Sequence, residues 1–174
     1  MIYIFIIICA CVYAFSSDCT TLGVSTDTLY NAFIYQFSHG SWSHLFINAL
    51  SLMLMFKPIH AIYEERFGET SQWSFYFFSY IGSVLAALFS AQHIPTVGAS
   101  GIVFFLLGVL ITLRPTLQQL QGFIFVAIAI VIQIIQGKSN VALHIIAFVL
   151  GILFIITRLL CKQYQERFDG CTDN

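Results

Sequence analysis

The stretch 98-GASGIVFFLLG-108 decides how the rest of the chain is to be read. It puts Ser100 at the mouth of an apolar run whose next polar side chain is Thr112. Gly98, Gly101 and Gly108 lie close by, and Gly101 and Gly108, seven apart, share one face of a helix. Small residues on such a face let membrane helices approach closely. Ser100 is therefore either a packing residue on a membrane helix or a nucleophile held where water is scarce.

Composition settles the surroundings of that run. Of 174 residues, 59% are hydrophobic, 16% aromatic and only 9% charged, with a mean hydropathy of +0.87. Soluble domains carry roughly 25% charged residues, so the chain reads as an all-α, polytopic integral membrane protein whose first partner is the lipid bilayer. A net charge of −1 with seven Lys and Arg leaves no basic face for nucleic acid. Cys9, Cys11, Cys19, Cys161 and Cys171 show no metal-ligand spacing and read as small hydrophobes or tail residues.

A helix needs roughly 17–25 apolar residues to cross a bilayer. Charged and turn-forming residues divide the chain into six spans, at about 1–15, 43–62, 72–91, 98–113, 118–136 and 140–161. The fourth is short and is expected to lie largely inside the bundle. The first has no basic residue before its apolar run. That favours a retained span over a signal peptide cleaved near Val12-Tyr13-Ala14. The loop 16–42 has no Lys or Arg and carries apolar turns such as 29-LYNAFIYQF-37, so it is expected to be membrane-associated. The polar tail 162–174 is expected to be cytoplasmic and mobile. Lys57, Arg66, Arg114, Arg158, Lys162 and Arg167 fall at ends sharing one side, with only Lys138 opposite. By the positive-inside rule both termini are cytoplasmic.

All eight acids lie outside the span interiors or at their cytoplasmic ends. The polar residues left at depth are His39, His44, Asn48, Ser100 and His144. His44 and Asn48 open span two, Ser100 opens span four and His144 lies one turn into span six. All three spans enter from the outer face, so the four groups sit at one level. His44 and Asn48 are i and i+4 on one helical face. His144, Ala147 and Gly151 form a stripe of small residues below the histidine. That stripe, facing Gly101 and Gly108, would bring His144 to Ser100. A serine needs a base to take its proton, and His is the usual one. With no acid at that depth, the residues permit a Ser–His dyad and exclude the common triad. His44, Asn48 and the Ser100 backbone N–H are available as oxyanion donors.

Each feature also has an ordinary reading. Ser100 alone is a packing residue, an intramembrane His is a structural group or a proton relay, and His-x-x-x-Asn ties helices together. His60 and His93 fall at loop ends and read as solvent-facing. The soluble hydrolase elbow G-x-S-x-G does not apply, because Phe104 and its neighbours continue an apolar helix.

In order along almost the whole chain, the motifs resemble those of the rhomboid intramembrane serine proteases in their compact six-helix bacterial form. They are 39-HGSWSHLFIN-48 (H-x4-H-x3-N), 64-EERFG-68, 98-GASG-101 with Gly108 eight residues past the serine, and 144-HIIAFVLG-151. The resemblance implies a six-helix rhomboid-like bundle, with Ser100 as nucleophile and His144 as general base and acid. It implies His44 and Asn48 at the oxyanion, Gly98 and Gly101 shaping the serine's turn, His39 as a structural loop residue and Glu64 as a cytoplasmic tie. Substrates would be transmembrane proteins, cut in or near their membrane segments, without metal or cofactor. The cell membrane of a bacterium, with the site near the outer face, is the implied location.

Three positions depart from the family pattern. The Trp-Arg pair of the first loop is Tyr30-Asn31 here, so what that pair anchors must be held differently. A tyrosine often stacked on the histidine is Phe104. The first glycine of helix six is Ala147, which adds a methyl where spans four and six approach. A non-proteolytic rhomboid-like binder of transmembrane helices is the alternative reading. A transporter using His44 and His144 as a proton relay is disfavoured by the lack of embedded acids and repeated halves.

Overall fold

Backbone amides in lipid must be satisfied within their own segment, which forces apolar runs into helices. The computed structural model describes residues 2–16, 18–113 and 140–172, with 117, 120 and 124. Within them lie five helices: α1 (Ile2–Phe15), α2 (Trp42–Phe67), α3 (Gln72–Phe89), α4 (Ser100–Leu113) and α5 (Val141–Thr172). Apart from 120 and 124, the expected fifth span at 118–136 lies outside the described residues, as do Arg114 and Lys138. Five of the six expected helices thus fall within the described residues, all of them α-helical. Two of these, α2 and α5, are long and apolar enough by themselves to cross a membrane.

The remaining helices are shorter, and α4 shows why that is tolerated. Its 14 residues span about 21 Å, less than the roughly 30 Å of hydrocarbon. Ten of them are buried, from Gly101 to Leu113, so α4 is the central post and the bundle rather than lipid surrounds it. It packs most extensively against α5, with α2 and α3 also alongside. The outer surface is apolar: Phe46 (66% exposed), Leu54 (66%) and Phe77 (58%) point away from the core. Unpaired apolar faces distributed around a bundle are the surface that lipid covers. Trp42 and Trp73, both exposed, stand at the first turns of α2 and α3, the interfacial level that indole prefers.

Helix ends follow their caps and correct two expectations. Ser41 caps α2, its hydroxyl accepting the His44 amide N–H at 3.1 Å. The helix does not stop at 62 but runs to Phe67. It ends on Gly68, whose φ of +87° suits glycine and whose N–H donates to the Glu64 carbonyl at 2.8 Å. His60 is therefore not at a solvent-facing loop end. It is 4% exposed, set between the rings of Phe56 and Phe75. A ring nitrogen bonds the Thr70 carbonyl at 2.7 Å, and the other faces Glu64 at 3.3 Å. Glu64 also accepts from the Thr70 N–H at 3.4 Å, so it is a tie across the α2–α3 turn. The last helix likewise passes the expected end at 161. It continues to Thr172, with Lys162 Nζ donating to the Arg66 carbonyl at 2.7 Å.

The loop before α2 is built from three short 3-10 helices, Cys19–Leu22, Leu29–Phe33 and Tyr35–Phe37. Asn31 of the Tyr30-Asn31 pair anchors it. Its buried amide donates to the carbonyls of Thr21 and Gly23, each at 3.0 Å, while Tyr30 is exposed. One residue of the pair thus holds the loop, with the other facing out. Val24 and Thr96 exchange both backbone hydrogen bonds, 3.0 and 2.9 Å, stitching this loop to the segment that leads into α4.

Candidate active site

The turn that delivers Ser100 begins at Gly98, where φ is +109°, a conformation L side chains rarely adopt. Space demands glycine as well: a Cβ there would lie 2.6 Å from His44 Cε1, 2.8 Å from His44 Nε2 and 3.3 Å from Asn48 Nδ2. Gly98 is therefore the floor against which His44 and Asn48 rest. Its N–H donates to the Tyr35 carbonyl at 3.0 Å, and the next amide, Ala99, donates to His39 Nε2 at 3.4 Å. The Ala99 carbonyl then accepts from Ile102 and Val103, which starts α4 with Ser100 as its first residue. The first N–H groups of a helix have no intrahelical partners and carry its positive dipole end. Ser100 accordingly stands where anionic charge is favoured.

On the facing helix, His144 is 5% exposed, and its Nε2 is 2.8 Å from Ser100 Oγ. With the ring nitrogen accepting, the serine hydroxyl donates. Phe104, one turn into α4, stacks on the imidazole with centroids 4.4 Å apart and planes 19° from parallel. The ring contact expected of the replaced tyrosine is present without its hydroxyl.

Two glycines set this approach, Gly108 as expected and Gly151 opposite it, while Gly101 does not share their contact. A Cβ on Gly108 would lie 2.1 Å from the Phe148 carbonyl oxygen, and one on Gly151 would lie 2.1 Å from that of Phe105. The α4–α5 backbones meet there, with Ala147 fully buried beside the contact. Gly101 instead faces mainly the other way. A Cβ on it would lie 2.2 Å from Ser83 Oγ and 2.7 Å from Tyr35 Oη, with Leu143 of α5 farther off at 3.2 Å. The sequence placed Gly101 with Gly108 from a spacing of seven. A straight helix drifts about 20° per heptad, and the crossing of α4 with its neighbours distributes the two to different contacts.

Ser100, His144 and His44 line a cavity of about 470 Å³ together with Pro95, Thr96 and Val97 of the segment before α4. Asn48 sits a turn deeper, 6% exposed, its Nδ2 without a partner among the described residues. A buried donor left unpaired is costly, and this one rests against the turn that presents Ser100. His39 does not line the cavity. It is fully buried, edge-on to His44 at 5.2 Å. Burial, reinforced by His44, holds its imidazole down to about 4. Glu64 belongs to the opposite end of α2 and ties the turn described above.

Sequence reasoning missed two supports. Tyr35 hydrogen-bonds Ser83 Oγ at 2.6 Å through its hydroxyl and holds Gly98 through its carbonyl. Nothing in an apolar loop sequence marks a tyrosine for that. Asn140 had a readable signal, because an Asn directly before an apolar helix is an N-cap residue. Its Oδ1 accepts from the Leu143 N–H at 3.1 Å.

A family model described as the Rhomboid domain matches residues 26–161, which contain every group of this site. No curated protein matches the chain.

Proposed function

From the premise that this chain belongs to the rhomboid family, a family of intramembrane proteases, we propose that it is a serine endopeptidase. Its substrates are other membrane proteins, cut in or near their transmembrane segments, and the whole chain is one membrane domain. The reading rests on the 2.8 Å hydrogen bond between His144 Nε2 and Ser100 Oγ, made at a cavity next to otherwise apolar helices.

Ser100 Oγ attacks the scissile carbonyl carbon while its proton passes to His144 Nε2. The carbonyl oxygen becomes an oxyanion beside His44, Asn48 and the first amides of α4, all of them N–H donors. Collapse breaks the peptide bond, and His144 returns the proton to the leaving amine. Water then attacks the acyl-enzyme carbonyl while His144 takes its proton, and as the acid product leaves His144 passes that proton to Ser100 Oγ, restoring both groups. Phe104 keeps the imidazole plane in place, and Gly98 keeps the oxyanion side clear. The six-to-one bias of basic residues supports a site near the outer face with both termini cytoplasmic. That orientation fits a bacterial cell membrane.

The test is cleavage of a panel of transmembrane substrates in liposomes, wild type beside Ser100→Ala. Labelling by a fluorophosphonate, which requires an activated serine, is run in parallel. Wild type should cleave and label, and Ser100→Ala should do neither while unfolding at the same temperature. Cleavage by Ser100→Ala would remove the serine from the mechanism. A wild type that neither cleaves nor labels would favour a non-proteolytic binder of transmembrane helices.

A further inference from the structure

The two groups of the dyad are carried by different segments, Ser100 by the turn after the α3–α4 loop and His144 by the first turn of α5. Their 2.8 Å separation depends on what holds those segments in register near the site. The close backbone contact at Gly108 and Gly151 is about two turns away, and Ser100 and His144 offer each other one hydrogen bond. One buried side chain reaches all the relevant pieces. Asn140, 7% exposed, uses its carbonyl oxygen to cap α5 through the Leu143 N–H at 3.1 Å. Its backbone carbonyl accepts from the His144 N–H itself at 3.4 Å. Its amide nitrogen points the other way. It donates to the Ser90 carbonyl at the end of α3 at 2.9 Å and to Thr96 Oγ1 at 3.2 Å. Thr96 is four residues before Ser100, and its backbone is paired with Val24 of the first loop.

We propose that Asn140 is a positioning residue, clamping the turn that bears His144 to the loop that bears Ser100 and so setting the distance between base and nucleophile. The amide's two ends do different work. The oxygen starts the helix, which Ser or Asp can also do. The nitrogen fixes where that helix starts relative to α3 and Thr96, which needs a donor of this reach. Asn140 also lines the cavity, yet its polar atoms are used by these bonds. The inference rests on the proposed dyad, and misplacement of a reacting group by about 1 Å costs on the order of 10²-fold in rate.

Three variants of the full-length chain in liposomes test it: Asn140→Ala, Asn140→Ser and Thr96→Val. Asn140→Ser keeps a cap and loses the clamp, and Thr96→Val removes one acceptor and leaves Asn140 intact. The readouts are kcat and KM on one transmembrane substrate, the rate of fluorophosphonate labelling and the unfolding temperature. Expected are falls of about 10²-fold in kcat and in labelling for Asn140→Ala and Asn140→Ser, with KM within about twofold. Thr96→Val should fall by severalfold. If Asn140→Ser labels and turns over like wild type, the residue is only a helix cap and the proposal is wrong. It is equally wrong if activity in all three variants falls only in proportion to folded protein. Failure of the dyad itself would appear separately, as cleavage by Ser100→Ala.

Discussion

Gly151→Ala places a methyl where the structure has no room for one and so tests how the helix crossing controls the chemistry. The added Cβ would lie 2.1 Å from the Phe105 carbonyl oxygen, 3.0 Å from the Phe105 carbonyl carbon and 3.1 Å from the Val109 nitrogen. All three are backbone atoms, so no side chain can rotate away. Ordinary contact begins near 3.4 Å, which requires α4 and α5 to part by about 1.3 Å. Overpacking of this kind costs about 1–3 kcal/mol. The same parting carried to Ser100, five residues before Phe105, takes the 2.8 Å dyad distance to about 4 Å, outside hydrogen-bonding range. General-base catalysis contributes about 10²–10⁴-fold, so kcat and fluorophosphonate labelling should fall by at least about 10²-fold while most of the protein stays folded. Gly108→Ala should do the same from the other side, since its Cβ would meet the Phe148 carbonyl at 2.1 Å. Gly68→Ala is the control. Its φ of +87° adds strain of about 1 kcal/mol or more, but no atom of the described residues lies within 4 Å of the added Cβ and the dyad is at the far end of α2. The measurement is labelling rate and unfolding temperature in parallel. Wild-type labelling by folded Gly151→Ala and Gly108→Ala would refute the link between helix approach and reactivity.

Two further outcomes follow from the geometry. Asn48→Ala and His44→Ala should each lower kcat by about 10²–10³-fold with little change in KM, because an oxyanion donor acts in the transition state. Equal losses in binding and turnover, measured on one substrate, would reassign them to substrate contact. His39 gives a pH dependence of stability with a definite sign. Unfolded, its imidazole takes up a proton near the ordinary 6.5; folded, burial and His44 hold it near 4. Between those values the unfolded state binds more protons, so the stabilising difference is complete above pH 6.5 and is lost as pH falls toward 4. The loss amounts to about 3 kcal/mol at most. Thermal unfolding in detergent from pH 7.5 to 4.5 should show it, and His39→Gln should flatten that slope. An unchanged slope in the variant would place the effect elsewhere.

The sequence by itself determined that this is a helical membrane protein and which polar groups open its spans. Apolar run length and the cost of polar side chains in lipid leave few alternatives. It also pointed to Ser100 and His144, though only as part of a constellation with His44 and Asn48, since a serine or a histidine read singly is an ordinary packing or structural residue. Tertiary structure decided what each neighbour does. Gly101 and Gly108 look equivalent in the sequence, but crossing angles send one to Tyr35 and Ser83 and the other to the α5 backbone. His60 looked solvent-facing until α2 proved five residues longer, which buried it against Phe56 and Phe75. Asn140 could be read as a helix cap, but its tie to Ser90 and Thr96 joins residues more than forty positions apart. Hydropathy and local propensity are properties of short windows and survive in the sequence. Register between helices comes from packing across the bundle, and only the folded chain fixes it.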